Sequence, residues 1–86
     1  MLPTVYHYAN NFVRVSVGPV TVWFSYTTPI AFTVGGERVV RQNEWSTTTG
    51  KHLSQIDGGD KASRVDVATF RRLWNEKVGE LFTVTV

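Results

Sequence analysis

An α+β domain is the fold class that three observations predict: β-branched residues alternating with period two in the first half, paired glycines and prolines between those runs, and a switch to helical period after residue 45. With 86 residues, too few to build two cores, the chain is read as one small domain over 1–86.

The strands come first. In "FVRVSV" (Phe12–Val17), Val13, Val15 and Val17 alternate with Phe12, Arg14 and Ser16, as in a half-buried strand. Gly18-Pro19 turns the chain, because glycine reaches positive φ and proline fixes its own. "VTVWFSY" (Val20–Tyr26) then returns as an antiparallel partner, and Thr27-Thr28-Pro29 closes it. "IAFTV" (Ile30–Val34) and "ERVVR" (Glu37–Arg41) flank Gly35-Gly36, a two-residue loop suited to a tight hairpin. The expectation is an antiparallel β-meander of about four strands.

Two helices follow. Ser46 or a neighbouring threonine is the expected N-cap of a helix over Thr47–Ile56, with Leu53 and Ile56 on one face and Gly58-Gly59 at its end. Asp66 caps a second, in which Val67, Phe70, Leu73, Trp74 and Val78 recur at three- and four-residue spacing before Gly79. "LFTVTV" alternates again and reads as a carboxyl-terminal strand. Both helices are expected on one sheet face. The expected core is Val13, Val15, Val22, Phe24, Ile30, Phe32, Val39, Leu53, Ile56, Phe70, Leu73, Trp74 and Val78.

Composition narrows function. No cysteine means no disulfide framework and no thiolate chemistry. The amino terminus has no signal-peptide pattern and no apolar run is long enough to span a bilayer, so a cytoplasmic protein without a membrane partner is expected. A net charge of +2, from nine basic and seven acidic residues, is slight for a dedicated nucleic-acid binder. From Met1 to Gly36 the only fully charged side chain is Arg14.

Polar chemistry concentrates in "WSTTTGKHLSQIDGGDKASRVD" (Trp45–Asp66). His52 with Asp57 or Asp60 would make a general base for a small hydrolase, against which stands a histidine that packs a helix and aspartates that cap turns. Asp57, Asp60, Ser63 and Asp66 do not have EF-hand spacing, and His7 and His52 lack zinc spacing, so neither metal nor cofactor is expected. "DGGDK" lacks the P-loop lysine and serine or threonine, and its carboxylates oppose an anion. Trp23, Phe24, Tyr26, Phe32, Tyr6 and Tyr8 offer stacking faces, and Arg14, Arg38 and Arg41 could touch phosphates. Trp23 and Phe24 are neighbours on a strand and face opposite ways, so one aromatic set is expected to need a partner, most simply a homodimer through the sheet or its last strand.

"FSYTTPIAF" (Phe24–Phe32), "NEWSTTTGKHLSQIDGG" (Asn43–Gly59) and "FRRLW" together resemble a family of small uncharacterised proteins of phages, archaea and mobile elements. The resemblance spans about residues 24–74 and carries no established activity. It implies a viral or mobile-element setting, in which so short a protein works by binding, and it draws attention to Ser46, Thr48, Lys51 and His52. Three functions are therefore expected in order: a non-enzymatic accessory protein binding a host or self protein, a nucleic-acid-binding module, and a small hydrolase.

Overall fold

A computed structural model describes residues 3–79 and 81–82. Five antiparallel strands follow one another in order across a single sheet: β1 (Thr4–Ala9), β2 (Phe12–Val17), β3 (Val20–Ser25), β4 (Thr28–Val34) and β5 (Glu37–Val40). Helix α1 (Thr47–Asp57), a 3-10 turn at Lys61–Ser63 and helix α2 (Val67–Lys77) complete the described chain. The α+β class holds, with five strands where about four were expected.

The additional strand is β1. Its sequence, TVYHYA, is rich in β-branched and aromatic residues and is followed by Asn10-Asn11, an ordinary turn pair, so the signal was present. Hairpin chemistry at the other end is as expected: Gly35 and Gly36 both take positive φ, +58° and +87°, as a tight antiparallel turn requires. The β3–β4 turn falls one step earlier than the Thr27-Thr28-Pro29 reading. Ser25 pairs with Thr28, leaving Tyr26-Thr27 as the loop, with Tyr26 at φ +57°. Pro29 thus lies inside β4, where a shift of register between Trp23 and Phe24 leaves Ile30 without an opposite residue. A bulge is where a central strand accommodates a proline that cannot donate to the ladder.

The helices lie on opposite faces of the sheet, not on one. Ala31 opposes Val40 and packs with Phe12, Leu53 and Ile56, placing α1 on that side. Its neighbour Phe32 opposes Val22 and packs with Phe70, Trp74 and Val78 of α2. The cause is visible in β4, where Pro29, Ile30, Ala31 and Phe32 are all buried. A continuous apolar run of this kind needs cover on both faces, whereas one covered face would have produced alternation.

Between the helices the chain crosses the outer edge of β5. Val65 N–H donates to the Val40 carbonyl and Gln42 N–H to the Val65 carbonyl, each at 2.8 Å, so this edge is partly paired by the crossing itself. A buried ion pair fixes the crossing: Arg64 Nε donates to Asp57 Oδ2 at 2.7 Å and Nη2 to Oδ1 at 3.0 Å. Gly58 at φ +68° and the side-chain caps Ser46 and Asp66 end and begin the helices as read from sequence, with α1 extending to Asp57.

Two helices do not cover a five-stranded sheet. Val13 and Val15, expected in the core, are only half-buried, and Phe24, Val39 and Leu73 flank the core rather than fill it. Phe12, absent from the expected core, is completely buried against α1. The expected carboxyl-terminal strand falls mainly on residues 83–86, outside the described residues. Leu81 and Phe82 are not in a strand, and Phe82 packs near Trp74 and Phe24.

Candidate functional site

The α1 side of the sheet carries a column of rings that begins under the helix and ends in solvent. His52 stacks on Phe12 at 4.5 Å between centroids, Phe12 on Tyr8 at 4.6 Å, and Tyr8 meets Tyr6 edge-on at 4.8 Å. Strand pairing places these rings in line: Tyr6 opposes Arg14, and Arg14 opposes Trp23. The Tyr8 hydroxyl accepts hydrogen bonds from Arg14 Nη1 and Trp23 Nε1, both at 3.3 Å. The Arg14 guanidinium also lies over the rings of Tyr6 and Tyr8, at 5.1 and 5.8 Å. Tyr6 and Tyr8 remain 52% and 39% exposed. An aromatic and cationic surface is therefore held in one arrangement by its own contacts while its outer side faces water.

Beneath it lies a buried polar cluster. Ser25 Oγ is 2.8 Å from His52 Nδ1 and 3.2 Å from Thr49 Oγ1. Burial holds the His52 imidazole below its ordinary pKa, favouring the neutral ring. His52 and Asp57 do not meet. The Asp57 carboxylate is engaged by Arg64 and by the Gly59 N–H at 2.9 Å, and the Arg64 hydrogen bonds hold its pKa below the usual carboxylate range. Asp60 is exposed beyond the helix end. The alternative of a general base is thus left without the Asp57 carboxylate, and His52 ties α1 to β3, as a helix-packing histidine does.

The three arginines expected to share a basic face point to three places. Arg14 is in the aromatic surface. Arg38 Nη1 donates to the Ile56 carbonyl at 2.7 Å, at the negative end of α1. Arg41 is 2% exposed, its guanidinium 4.7 Å from the Trp45 ring and 5.0 Å from the Phe70 ring, with Nη1 donating to the Pro29 carbonyl at 3.3 Å. Burial lowers its pKa, Glu44 partly offsets this, and Nε has no partner among the described residues. Arg41 is a core brace, out of reach of a ligand.

The other positions separate likewise. Ser46 caps α1, its Oγ accepting from Thr49 N–H, and Thr48 is exposed in the first turn. Lys51 lines an open polar cleft of about 880 Å³ with Lys61, Arg64, Asn43 and Ser54. Tyr26 lines a smaller cavity of about 300 Å³ with Ser25, Trp45 and Thr49. Among the described residues no cluster of histidine, aspartate and glutamate is placed to hold a metal ion, and no helix is long and apolar enough to cross a membrane.

Residue type marks Tyr6 and Tyr8 only as possible stacking rings, and it is the β1 strand, legible in the sequence but absent from the expected meander, that aligns them with Arg14. No curated protein and no solved structure matches the chain. A family model does, and its match to residues 4–72 takes in β1 with its tyrosines, the rest of the sheet, all of α1 and the first half of α2. The whole aromatic surface and the Ser25–His52 link thus fall within that match, and the chain belongs to DUF8033, a family of unknown function.

Proposed function

We propose that this protein is a non-enzymatic binding protein that engages a protein partner through the surface formed by Tyr6, Tyr8, Arg14 and Trp23. The carrying observation is the mutual locking of these side chains, in which one tyrosine hydroxyl receives both Arg14 and Trp23 while the rings stay open to solvent. Tyrosine, tryptophan and arginine are the residues on which protein interfaces concentrate their binding energy. A surface already fixed in one conformation loses little entropy when it binds. The resemblance to small phage, archaeal and mobile-element proteins supports an accessory role in a host cytoplasm.

The scattering of Arg14, Arg38 and Arg41 favours protein over nucleic acid as the partner, because a nucleic-acid surface needs its cations in a contiguous stripe. Affinity capture from host lysate with the wild-type chain and with a Tyr6→Ala/Arg14→Ala variant tests the reading. A partner retained by the first and lost by the second is expected. A partner retained equally by both would overturn it. Fluorescence anisotropy with single- and double-stranded oligonucleotides should show no binding, and affinity that falls steeply with salt would transfer the surface to nucleic acid.

A further inference from the structure

The β1 edge of the sheet has a determined set of outward backbone groups. The two-residue hairpin at Gly18-Pro19 is closed by Val17 and Val20, a mutually hydrogen-bonded pair, and such pairs recur at every second residue of an antiparallel ladder. Val13, Val15 and Val17 therefore direct their backbone groups to β3. Asn11 does the same, its carbonyl accepting from Tyr26 N–H at 2.8 Å. Arg14 and Ser16 turn theirs to β1, where they stand opposite Tyr6 and Thr4. By the same alternation Thr4 and Tyr6 bond inward, and Val5 and His7 present N–H and C=O to the outer edge.

None of the described residues pairs with that edge. All six residues of β1 are exposed, and none carries a fixed charge. Edge strands are ordinarily blunted by lysine, proline or a bulge. Here Pro3 precedes the strand and the bulge lies between His7 and Ala9, so Thr4–His7 stays regular and, among the described residues, open.

We propose that a second copy of this chain pairs with β1 in antiparallel register, with the two-fold axis at Tyr6. Residues opposite one another in such a ladder share a face, so the two residue numbers of a pair must sum to an even number if the copies form one continuous sheet. An axis at Tyr6 sets Val5 against His7 of the partner subunit and His7 against the partner's Val5. The outward groups of both strands then meet in four backbone hydrogen bonds. An axis at Val5 would set the partner's Pro3 against His7, where no N–H is available. An axis at His7 would carry the pairing into the bulge. The two Arg14 side chains would stand three strand spacings apart, roughly 14 Å, which exceeds the screening length of about 8 Å in physiological salt. The dimer is a ten-stranded sheet whose aromatic surfaces adjoin at the axis. It stands independently of what that surface binds.

Light scattering on size-exclusion fractions, from low to high micromolar, tests this. The wild-type chain is expected at twice its 9.7 kDa mass. Val5→Pro removes an outward N–H without touching the ladder to β2, and Tyr6→Glu places two carboxylates at the axis. Each should return 9.7 kDa with an unchanged circular dichroism spectrum. Amide exchange at Val5 and His7 should be slow in the dimer and fast in the Tyr6→Glu monomer. A wild-type monomer throughout, a dimer that survives both substitutions, or slow exchange at Val5 and His7 in a monomer would each overturn the proposal. In the last case a segment of the same chain holds the edge.

Discussion

Ser25 Oγ lies 2.8 Å from His52 Nδ1, and this buried contact joins the end of β3 to the middle of α1. Ser25→Ala removes one partner and leaves a buried ring nitrogen unsatisfied, which costs about 1–3 kcal/mol. Urea denaturation should show that loss. A Ser25→Ala/His52→Phe double variant, in which both polar partners are gone, should lose less than the two single losses added together.

Acid should destabilise the protein in two stages. His52 and Asp57 both have folded-state pKa values below their ordinary ones, so the unfolded chain binds protons more readily at each. Their stabilising contribution is complete above the ordinary value and is lost as pH falls through the folded one. The first decline in melting temperature is expected below about pH 6.5, from His52, and the second below about pH 4, from Asp57 with the helix cap Asp66. His52→Gln should remove the upper stage, and Asp57→Asn should weaken the lower.

Gly50 sits where an added Cβ would come within 3.0 Å of Asn43 Nδ2. Asn43 cannot withdraw without loss, because its Nδ2 donates to the Ser46 carbonyl and its Oδ1 accepts from Trp45 N–H. Gly50→Ala should therefore destabilise the wild-type chain despite the helix preference for alanine. In an Asn43→Ala background the same substitution should stabilise by up to about 1 kcal/mol. Thermal denaturation of the four proteins checks the reversal.

Arg41 is expected to matter by volume and not by charge. Arg41→Met keeps most of the buried bulk and removes a desolvated cation whose Nε has no partner among the described residues, so its stability should stay within about 1.5 kcal/mol of the wild type. Arg41→Ala leaves a cavity beside Phe70 and should cost roughly 2–5 kcal/mol. Partner capture should be unchanged in Arg41→Met, whereas Arg14→Ala should weaken it.

Much of the fold was legible residue by residue. The caps Ser46 and Asp66, the Gly35-Gly36 hairpin and the αL glycine at 58 are local devices, and each sits where its chemistry demands. The expected core omits Phe12 because period two states that neighbours face opposite ways, and not which way is inward. Where both faces are covered, that ambiguity persists, and the run of four buried residues in β4 was the signal that both were.

The candidate site was legible only in its ingredients. Arg14, Trp23, Tyr26, Lys51 and His52 were marked by residue type, but type cannot say which of them meet. Strand register brought Arg14 and Trp23 onto one tyrosine hydroxyl, sent Arg41 into the core and gave His52 a serine instead of an aspartate.

By itself the sequence determined the α+β class, the order of most elements and the positions at which helices and hairpins begin and end, because these follow from interactions among residues a few positions apart. Tertiary structure alone decided which face each helix covers, which arginine is buried and which strand lies at the outer edge of the sheet. Those outcomes depend on contacts between residues tens of positions apart: the apolar run in β4 marks that both faces are covered, but only pairing and packing decide which helix takes which face.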